Sequence, residues 1–182
     1  MELLYTTRIE SPLGPLFLAA SEHGLVALEF DRRLPGQQTI RPNPRDLQKE
    51  SKARRPQLDF EDSPPKLCPY VTELNEYFSG RRRTFDFPLD LRGTPFQLAC
   101  WRALLAIPYG ETRTYSHIAR AVGKPNAFRA VGMANNRNPV AIVVPCHRVI
   151  ASDGTLCGYG GGLDIKRRLL ELEGAVTQTL VA

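Results

Sequence analysis

The sequence predicts an α+β protein, in which a small N-terminal β-hairpin or sheet domain with a helix precedes a mostly α-helical C-terminal domain with a helix-turn-helix. Three observations predict this fold class. Two short apolar runs flank turn residues in the first thirty positions, helical periodicity dominates the second half, and a glycine-containing turn joins two short helices there. Turn residues around Gly93 place the boundary, which gives an N-terminal domain at 1–92 and a C-terminal domain at 93–182.

The N-terminal domain is expected to begin with strands. Apolar runs at 16–20 and 25–30 lie on either side of the sequence Ser-Glu-His-Gly at 21–24, whose residue types favour a turn, so we expect a β-hairpin. Residues 35–65 are rich in Pro, Arg, Lys, Asp and Gln and poor in large apolar side chains. This composition predicts a long polar loop.

Two further elements are expected in this domain. Residues 67–78 predict a helix, because Val71, Leu74 and Phe78 share one helical face. Residues 84–87 alternate between polar and apolar side chains, which predicts another strand.

The C-terminal domain is expected to open with a helix at 96–107. Thr94 is its predicted cap, Pro95 suits its first turn, and Pro108 ends it. Because Cys100 lies on the apolar face of this helix, we expect it to be a buried and inert thiol.

Two shorter helices are predicted at 112–122 and at about 126–134, with Gly123 between them. The asparagines before Pro139 stop the second helix. Such a pair is a helix-turn-helix candidate, although many helical pairs with this spacing bind nothing.

The remaining segments surround a Cys-His pair. Residues 140–144 form a continuous apolar run, which predicts a buried strand that ends at Pro145. A glycine-rich loop is expected at 158–162. The last predicted helix, 163–173, turns three apolar residues inward, namely Ile165, Leu169 and Leu172.

Composition narrows the function classes. The formal net charge of the 182 residues is +5 and the pI is about 9.2, which suits a polyanionic partner and also fits simple solubility. No apolar run approaches the roughly 18–20 residues that span a bilayer. The charged N-terminus is unlike a signal peptide, so we expect an intracellular protein.

The cysteines do not form a metal-binding pattern. None of the four lies in a C-x-x-C pair, and no histidine stands at zinc-finger spacing, so a structural zinc site is not expected. The four are Cys68, Cys100, Cys146 and Cys157.

Cys146 is the candidate nucleophile, because it follows a predicted strand and lies beside predicted loops. The neighbouring His147 would raise its thiolate fraction if the chain turns there or if a water molecule bridges the two side chains. A histidine base needs an orienting carboxylate. Glu171 and Glu173 lie about 200° apart around the last helix, so only one of them can face His147.

The run Pro145-Cys146-His147-Arg148-Val149 resembles the active-site signature of the O6-alkylguanine-DNA alkyltransferase family. Further matches follow in the same order through the second half, and so many ordered matches are more specific than any one motif. They are Ile107-Pro108-Tyr109-Gly110-Glu111-Thr112, Tyr115, Arg129-Ala130-Val131-Gly132, Asn138-Pro139, Tyr159 with Gly161-Gly162, and Glu173-Gly174. In the first half only residues 11–15 and the hairpin look similar.

The resemblance implies direct-reversal DNA repair. The alkyl group of O6-alkylguanine, and of O4-alkylthymine, would move to Cys146 once per molecule, with no cofactor and no metal, so that the protein inactivates itself. The helix-turn-helix would bind double-stranded DNA in the minor groove. Arg129 would fill the gap left by a flipped nucleotide, since the alkyl carbon is out of reach inside the duplex. The implied location is cytoplasmic, at the nucleoid in a bacterium, and cooperative binding of several copies on DNA stays open.

Family roles carry over to individual residues of this sequence. His147 would take the thiol proton through water, and Glu173 would orient it, which selects Glu173 over Glu171. Tyr115 would donate a hydrogen bond to the leaving guanine, and Asn138 would tie the DNA-binding helices to the active-site turn. The substrate-binding residues would be Val149, Tyr159, Gly160 and Gly161. The DNA-binding residues would be Ala127, Arg129, Ala130, Gly132 and Ser152.

Two departures from the family pattern affect the expected DNA surface and base pocket. Phe128 replaces the small residue usual before the arginine, and Gly160 stands where a serine often lies. Two other interpretations stay open. A protein that binds lesions without transfer would result if the thiolate fails to form. A cysteine hydrolase of small molecules would turn over repeatedly and would lack salt-dependent affinity for DNA.

Overall fold

A computed structural model describes residues 2–31 and 58–175. The chain divides into two compact units, Met1–Gly93 and Thr94–Ala182. The predicted α+β class is confirmed, with a four-stranded sheet in the first unit and mainly helices in the second. Among the described residues, no helix combines the length and the apolarity needed to cross a membrane.

A four-stranded sheet forms the centre of the first unit. Its strands are β1 (Glu2–Ile9), β2 (Leu16–Ser21), β3 (Gly24–Phe30) and β4 (Leu58–Asp62), and their order across the sheet is β3-β2-β1-β4. The predicted hairpin is confirmed as the antiparallel pair of β2 and β3. Its turn requires glycine, because Gly24 has a φ of +144° and a Cβ there would lie 2.5 Å from the Pro88 carbonyl oxygen.

The end of the predicted polar loop is a strand. Residues 32–57 lie outside the described part, so most of the loop predicted at 35–65 is untested, but β4 pairs parallel with β1 inside that range. Leu58 and Phe60 pack against the core cluster that includes Leu4 and Phe17. Two alternating apolar residues in a polar stretch were too short a pattern to indicate this strand, which long-range pairing stabilises.

The predicted helix is α1 (Pro64–Phe78), which starts earlier than expected because proline suits its first turn. It buries Leu67, Leu74 and Tyr77, whereas Val71 and Phe78 are half-buried.

The strand predicted at 84–87 is wrong. The Phe85 ring lies 5.4 Å from the Tyr77 ring, and the Phe87 ring lies 4.8 Å from that of Tyr70. Because both rings pack on α1, their alternation reflects contacts with a helix and not the two faces of a sheet. Further along, Leu89 forms an isolated bridge with Leu25.

The second unit opens with α2 (Pro95–Leu105), which Thr94 caps as predicted. Gln97 completes a reciprocal capping box, since each side chain bonds to the backbone N–H of the other residue. Cys100 is fully buried, and burial raises its pKa to about 11, so it is the inert thiol that was expected. The Trp101 indole donates to the Ala134 carbonyl at 2.9 Å.

The helix-turn-helix consists of α3 (Tyr115–Ala121) and α4 (Phe128–Asn136). The first helix starts later than predicted, because the Thr114 hydroxyl accepts the His117 N–H as a cap. Just before it, β5 (Arg113–Thr114) pairs parallel with β6 (Val149–Ile150).

The buried strand predicted at 140–144 is wrong, although the segment is largely buried as expected. It makes a tight turn, in which the Val144 N–H donates to the Val140 carbonyl at 3.0 Å and Ile142 has a φ of +71°. The Asn138 side chain replaces the missing strand partner, because it accepts from the Val140 N–H and donates to the Val144 carbonyl. The β-branched composition indicated burial correctly and backbone shape incorrectly.

The last described helix is α5 (Leu163–Leu172). Leu169 is buried as predicted, but Ile165 and Leu172 are only half-buried. Their expected places are taken by Lys166 and Leu170, which are fully buried.

Candidate active site

Cys146 begins a one-turn 3-10 helix, Cys146–Arg148, that follows Pro145 and leads into β6. The nucleophile is therefore presented by a turn and not, as predicted, by a strand end. Its side chain is almost fully buried, and the Asn138 amide nitrogen lies 3.2 Å from Sγ. The same amide donates to the Val144 carbonyl at 2.7 Å, so one side chain fixes both the sulfur and the turn before it.

His147, Arg148 and Glu173 form a buried ionic cluster. Nε2 of His147 lies 2.8 Å from Oε1 of Glu173. The Arg148 guanidinium binds both oxygens of the same carboxylate, at 2.7 and 2.9 Å, and donates to the Ile107 carbonyl at 2.6 Å. Glu171 is exposed, so Glu173 is the carboxylate that faces the histidine. Arg148 belongs to the motif at Pro145–Val149, but the motif alone does not predict this pairing.

The electrostatics of this pair favour a state in which His147 is neutral and Glu173 is an anion. Burial alone would raise the pKa of Glu173, but its hydrogen bonds with His147 and Arg148 hold that pKa well below the usual range. Burial lowers the pKa of His147, and the adjacent carboxylate offsets only part of this effect. With Nε2 facing an acceptor, the neutral ring carries its proton there. Nδ1 is then a basic nitrogen, and it is buried with no hydrogen-bond partner among the described residues.

The resting sulfur is a thiol. Burial raises the pKa of Cys146, and the Asn138 hydrogen bond and the charge of Lys166 offset this only in part. The expectation that the His147 imidazole raises the thiolate fraction stays a prediction. Proton removal must accompany the reaction.

Lys166 is a further functional candidate, which the sequence pattern did not indicate. It is fully buried, and its Nζ donates to the Val149 carbonyl at 2.6 Å and to the Cys157 carbonyl at 2.8 Å. A lysine is ordinarily a solvated residue, and the predicted apolar stripe did not include it. Its spacing of three residues before the buried Leu169 was the available signal.

Tyr115 joins the same network from the start of α3. Its hydroxyl donates to the Cys157 carbonyl at 3.2 Å, so Tyr115 and Lys166 share one acceptor. Burial raises the pKa of Tyr115, which keeps the hydroxyl protonated and able to donate. Gly132 of α4 faces this ring, because a Cβ on that glycine would lie 3.8 Å from it.

The predicted substrate-binding residues flank this network. Val149 lies in β6, and its carbonyl accepts the hydrogen bond from Lys166. Tyr159 is half-buried and its carbonyl accepts the Gly162 N–H, while Gly161 is buried. A Cβ on Gly160 would meet nothing within 4 Å, so this position has room for the family serine that it lacks.

The predicted DNA-binding residues lie along α4 and the loop after β6. Arg129 and Ala130 are exposed on α4, and Ala127 is its N-cap residue. Gly132 and Ser152 line an open cavity of about 450 Å³, here called the α3–α4 cavity. Its lining residues are Thr114, Tyr115, Ser116, Phe128, Gly132, Ala151 and Ser152.

Known proteins resemble both units of this chain. Models described as 6-O-methylguanine DNA methyltransferase, ribonuclease-like domain, and as 6-O-methylguanine DNA methyltransferase, DNA binding domain, match residues 4–91 and 95–175. The methylated-DNA–protein-cysteine methyltransferase of Methanosarcina barkeri is 49% identical over 93% of this chain and 97% of its own. That of Mycobacterium tuberculosis is 47% identical over 94% of this chain and 93% of its own.

A solved structure gives the same assignment. OGT of Mycobacterium tuberculosis in complex with DNA has a TM-score of 0.74 and 44% identity, and the match covers 95% of this chain and 93% of that one. The chain belongs to the 6-O-methylguanine DNA methyltransferase family, as the resemblance at Pro145–Val149 and along the second half had predicted.

Proposed function

We propose that this protein repairs DNA by moving the alkyl group from O6 of a guanine, or O4 of a thymine, onto Sγ of its own Cys146. One observation carries the proposal. In a member of this family, a buried thiol held by Asn138 adjoins a buried His147–Glu173 pair whose free ring nitrogen is basic. This combination provides a nucleophile, a base and an orienting carboxylate.

The reaction balances without a further reactant. His147 Nδ1 accepts the thiol proton through a bridging water, and Glu173 stabilises the imidazolium that forms. The sulfur attacks the alkyl carbon in line, so the S–C bond forms as the C–O bond breaks, and the electron pair of the C–O bond passes to O6 of the guanine or O4 of the thymine. Tyr115 donates a hydrogen bond to the leaving guanine, whose anion takes up a proton from water, while the His147 imidazolium returns the thiol proton to water, so the proton count balances. The thioether that remains is not reduced by cellular thiols, so each chain acts once.

DNA binding follows from α4. The sequence contains no acidic residue between Glu111 and Asp153, while six lysines and arginines fall in that stretch. Arg148 is buried against Glu173, and the other five suit a polyanion. Small side chains at Ala127, Ala130 and Gly132 would allow a close approach to the minor groove, with Arg129 filling the place of the flipped nucleotide. A DNA substrate is consistent with the proposed location in the cytoplasm, at the nucleoid in a bacterium. Cooperative binding by several copies remains a prediction of the resemblance.

Mass spectrometry of the intact protein tests the transfer directly. After incubation with a duplex that contains O6-methylguanine, the wild-type chain should gain one methyl group in place of a hydrogen, on the peptide that holds Cys146. Cys146→Ala should gain nothing and still bind the duplex, while Cys157→Ser should react like the wild type.

Two outcomes would overturn the proposal. Repaired guanine that accumulates beyond one equivalent per chain, with no mass gain, would indicate a hydrolase. Lesion binding without any transfer would indicate a recognition protein.

A further inference from the structure

The start of α4 exposes an aromatic ring. Phe128 leaves 46% of its surface exposed, as the first residue of the helix and the neighbour of Arg129. Single exposed apolar residues are ordinary on protein surfaces. Phe128 differs because it also lines the α3–α4 cavity, together with Tyr115 and Gly132 of the proposed site.

The surroundings of Phe128 are suited to a nucleic-acid backbone. Hydroxyl groups of Thr114, Ser116 and Ser152 line the same cavity, and hydroxyls are common donors to phosphate oxygens. Lys124 and Arg129 flank the ring in sequence, within the stretch that lacks acidic residues. Charge complementarity therefore favours DNA over an apolar partner for this surface.

Phe128 and Arg129 are already placed side by side. The Arg129 guanidinium carbon lies 5.9 Å from the centroid of the Phe128 ring, within the range of a cation–π contact. A planar cation and an aromatic ring on adjacent residues present two groups that can each stack on a base. Phenylalanine is among the side chains that minor-groove proteins insert between base steps.

We propose that Phe128 contacts DNA directly and stacks on the base pair beside the extrahelical nucleotide. Two residues of this protein, Phe128 and Arg129, would then insert into the base stack. The inference rests on the proposed function, because it needs a duplex with a flipped nucleotide. Flipping leaves the faces of neighbouring bases without a stacking partner. An aromatic ring restores that contact without adding a phosphate contact.

The salt dependence of DNA binding distinguishes a stacking contact from a contact between charges. The dissociation constant of an O6-methylguanine duplex is measured at several salt concentrations for wild type, Phe128→Ala and Phe128→Tyr. Phe128→Ala should bind about tenfold more weakly at every salt concentration with an unchanged salt slope, because stacking on one base contributes that much and releases no counterion. Phe128→Tyr, which retains the ring, should bind like the wild type. Leu105→Ala is the matched control, since Leu105 exposes 42% of its surface on α2 and should have no effect.

A second readout reports on the bases. A fluorescent 2-aminopurine placed next to the lesion should be more quenched by wild type and Phe128→Tyr than by Phe128→Ala. Unchanged affinity and fluorescence in Phe128→Ala would overturn the proposal while leaving alkyl transfer intact. A changed salt slope, or a lowered unfolding midpoint that accounts for the weaker binding, would also overturn it. Failure of the wild-type chain to accept a methyl group would refute the proposed function instead.

Discussion

Mild acid should destabilise the second unit through His147. The imidazole is fully buried, and burial lowers its pKa below the ordinary value of 6.5. The unfolded chain then binds a proton that the folded imidazole does not. The contribution of a group with a lowered pKa is complete above its unfolded value, so this stability is present above pH 6.5 and is lost as the pH falls below it.

The magnitude follows from one proton. Each proton bound only by the unfolded state changes the free energy of unfolding by about 1.4 kcal/mol per pH unit. Between neutral pH and about pH 5 the loss reaches about 2 kcal/mol if the folded imidazole stays neutral throughout. Glu173 does not enter this window, because its own loss begins only below the ordinary value of 4.5.

Urea unfolding followed by fluorescence measures this loss. Trp101 is the only tryptophan of the chain and is almost fully buried in the second unit, so its emission reports on that unit. His147→Gln keeps a donor for Glu173 but cannot titrate, and its stability should vary less with pH by the amount given above. Equal pH dependence in the two proteins would refute the reasoning. A wild-type protein that gains stability in acid would show instead that the folded pair holds an imidazolium.

Three further changes test other parts of the structure. Lys166→Met leaves the Val149 and Cys157 carbonyls without their buried donor. Alkyl transfer measured in a single turnover should therefore slow at least about tenfold, while DNA affinity persists. An unchanged rate would show that Lys166 does not act in the site. Arg129→Ala should weaken lesion binding and lower the salt slope by about one unit without moving the Trp101 unfolding midpoint, and a collapsed midpoint would assign the arginine to folding. Gly24→Ala should lower the free energy of unfolding of the first unit by about 2 kcal/mol or more, because φ is +144° and the new Cβ meets the Pro88 carbonyl. Unfolding followed by circular dichroism measures this loss, and wild-type stability would contradict that geometry.

Local chemistry made much of the fold predictable. The hairpin at β2 and β3, the Thr94 cap and the buried Cys100 each depend on neighbouring residues, and the structure confirms all three. The strand β4 was missed because it is stabilised by pairing with β1, more than fifty residues away in sequence. The turn at 140–144 was mistaken for a strand because one side chain, Asn138, satisfies its backbone.

The candidate site was also predictable in part from the sequence. Family motifs indicated Cys146, His147 and Glu173, and the structure brings the histidine and the carboxylate together at 2.8 Å. Motif spacing did not reveal that Lys166 turns inward, because a lysine on an amphipathic helix is expected at the surface. Nor did it reveal that the thiol is protonated at rest, because that depends on the depth of burial, which only the packed fold determines.

The distribution of the site along the chain has a consequence for synthesis. The helix-turn-helix and the Cys146–His147 turn lie close together in sequence, but Lys166 and Glu173 belong to α5 and its end. During translation, the helix-turn-helix emerges before Lys166 and Glu173, the two groups of the network that belong to α5 and its end. The hydrogen-bonded network around Cys146 is therefore complete only when α5 has packed against the Cys146–Arg148 turn, so the last described helix decides when the site is assembled.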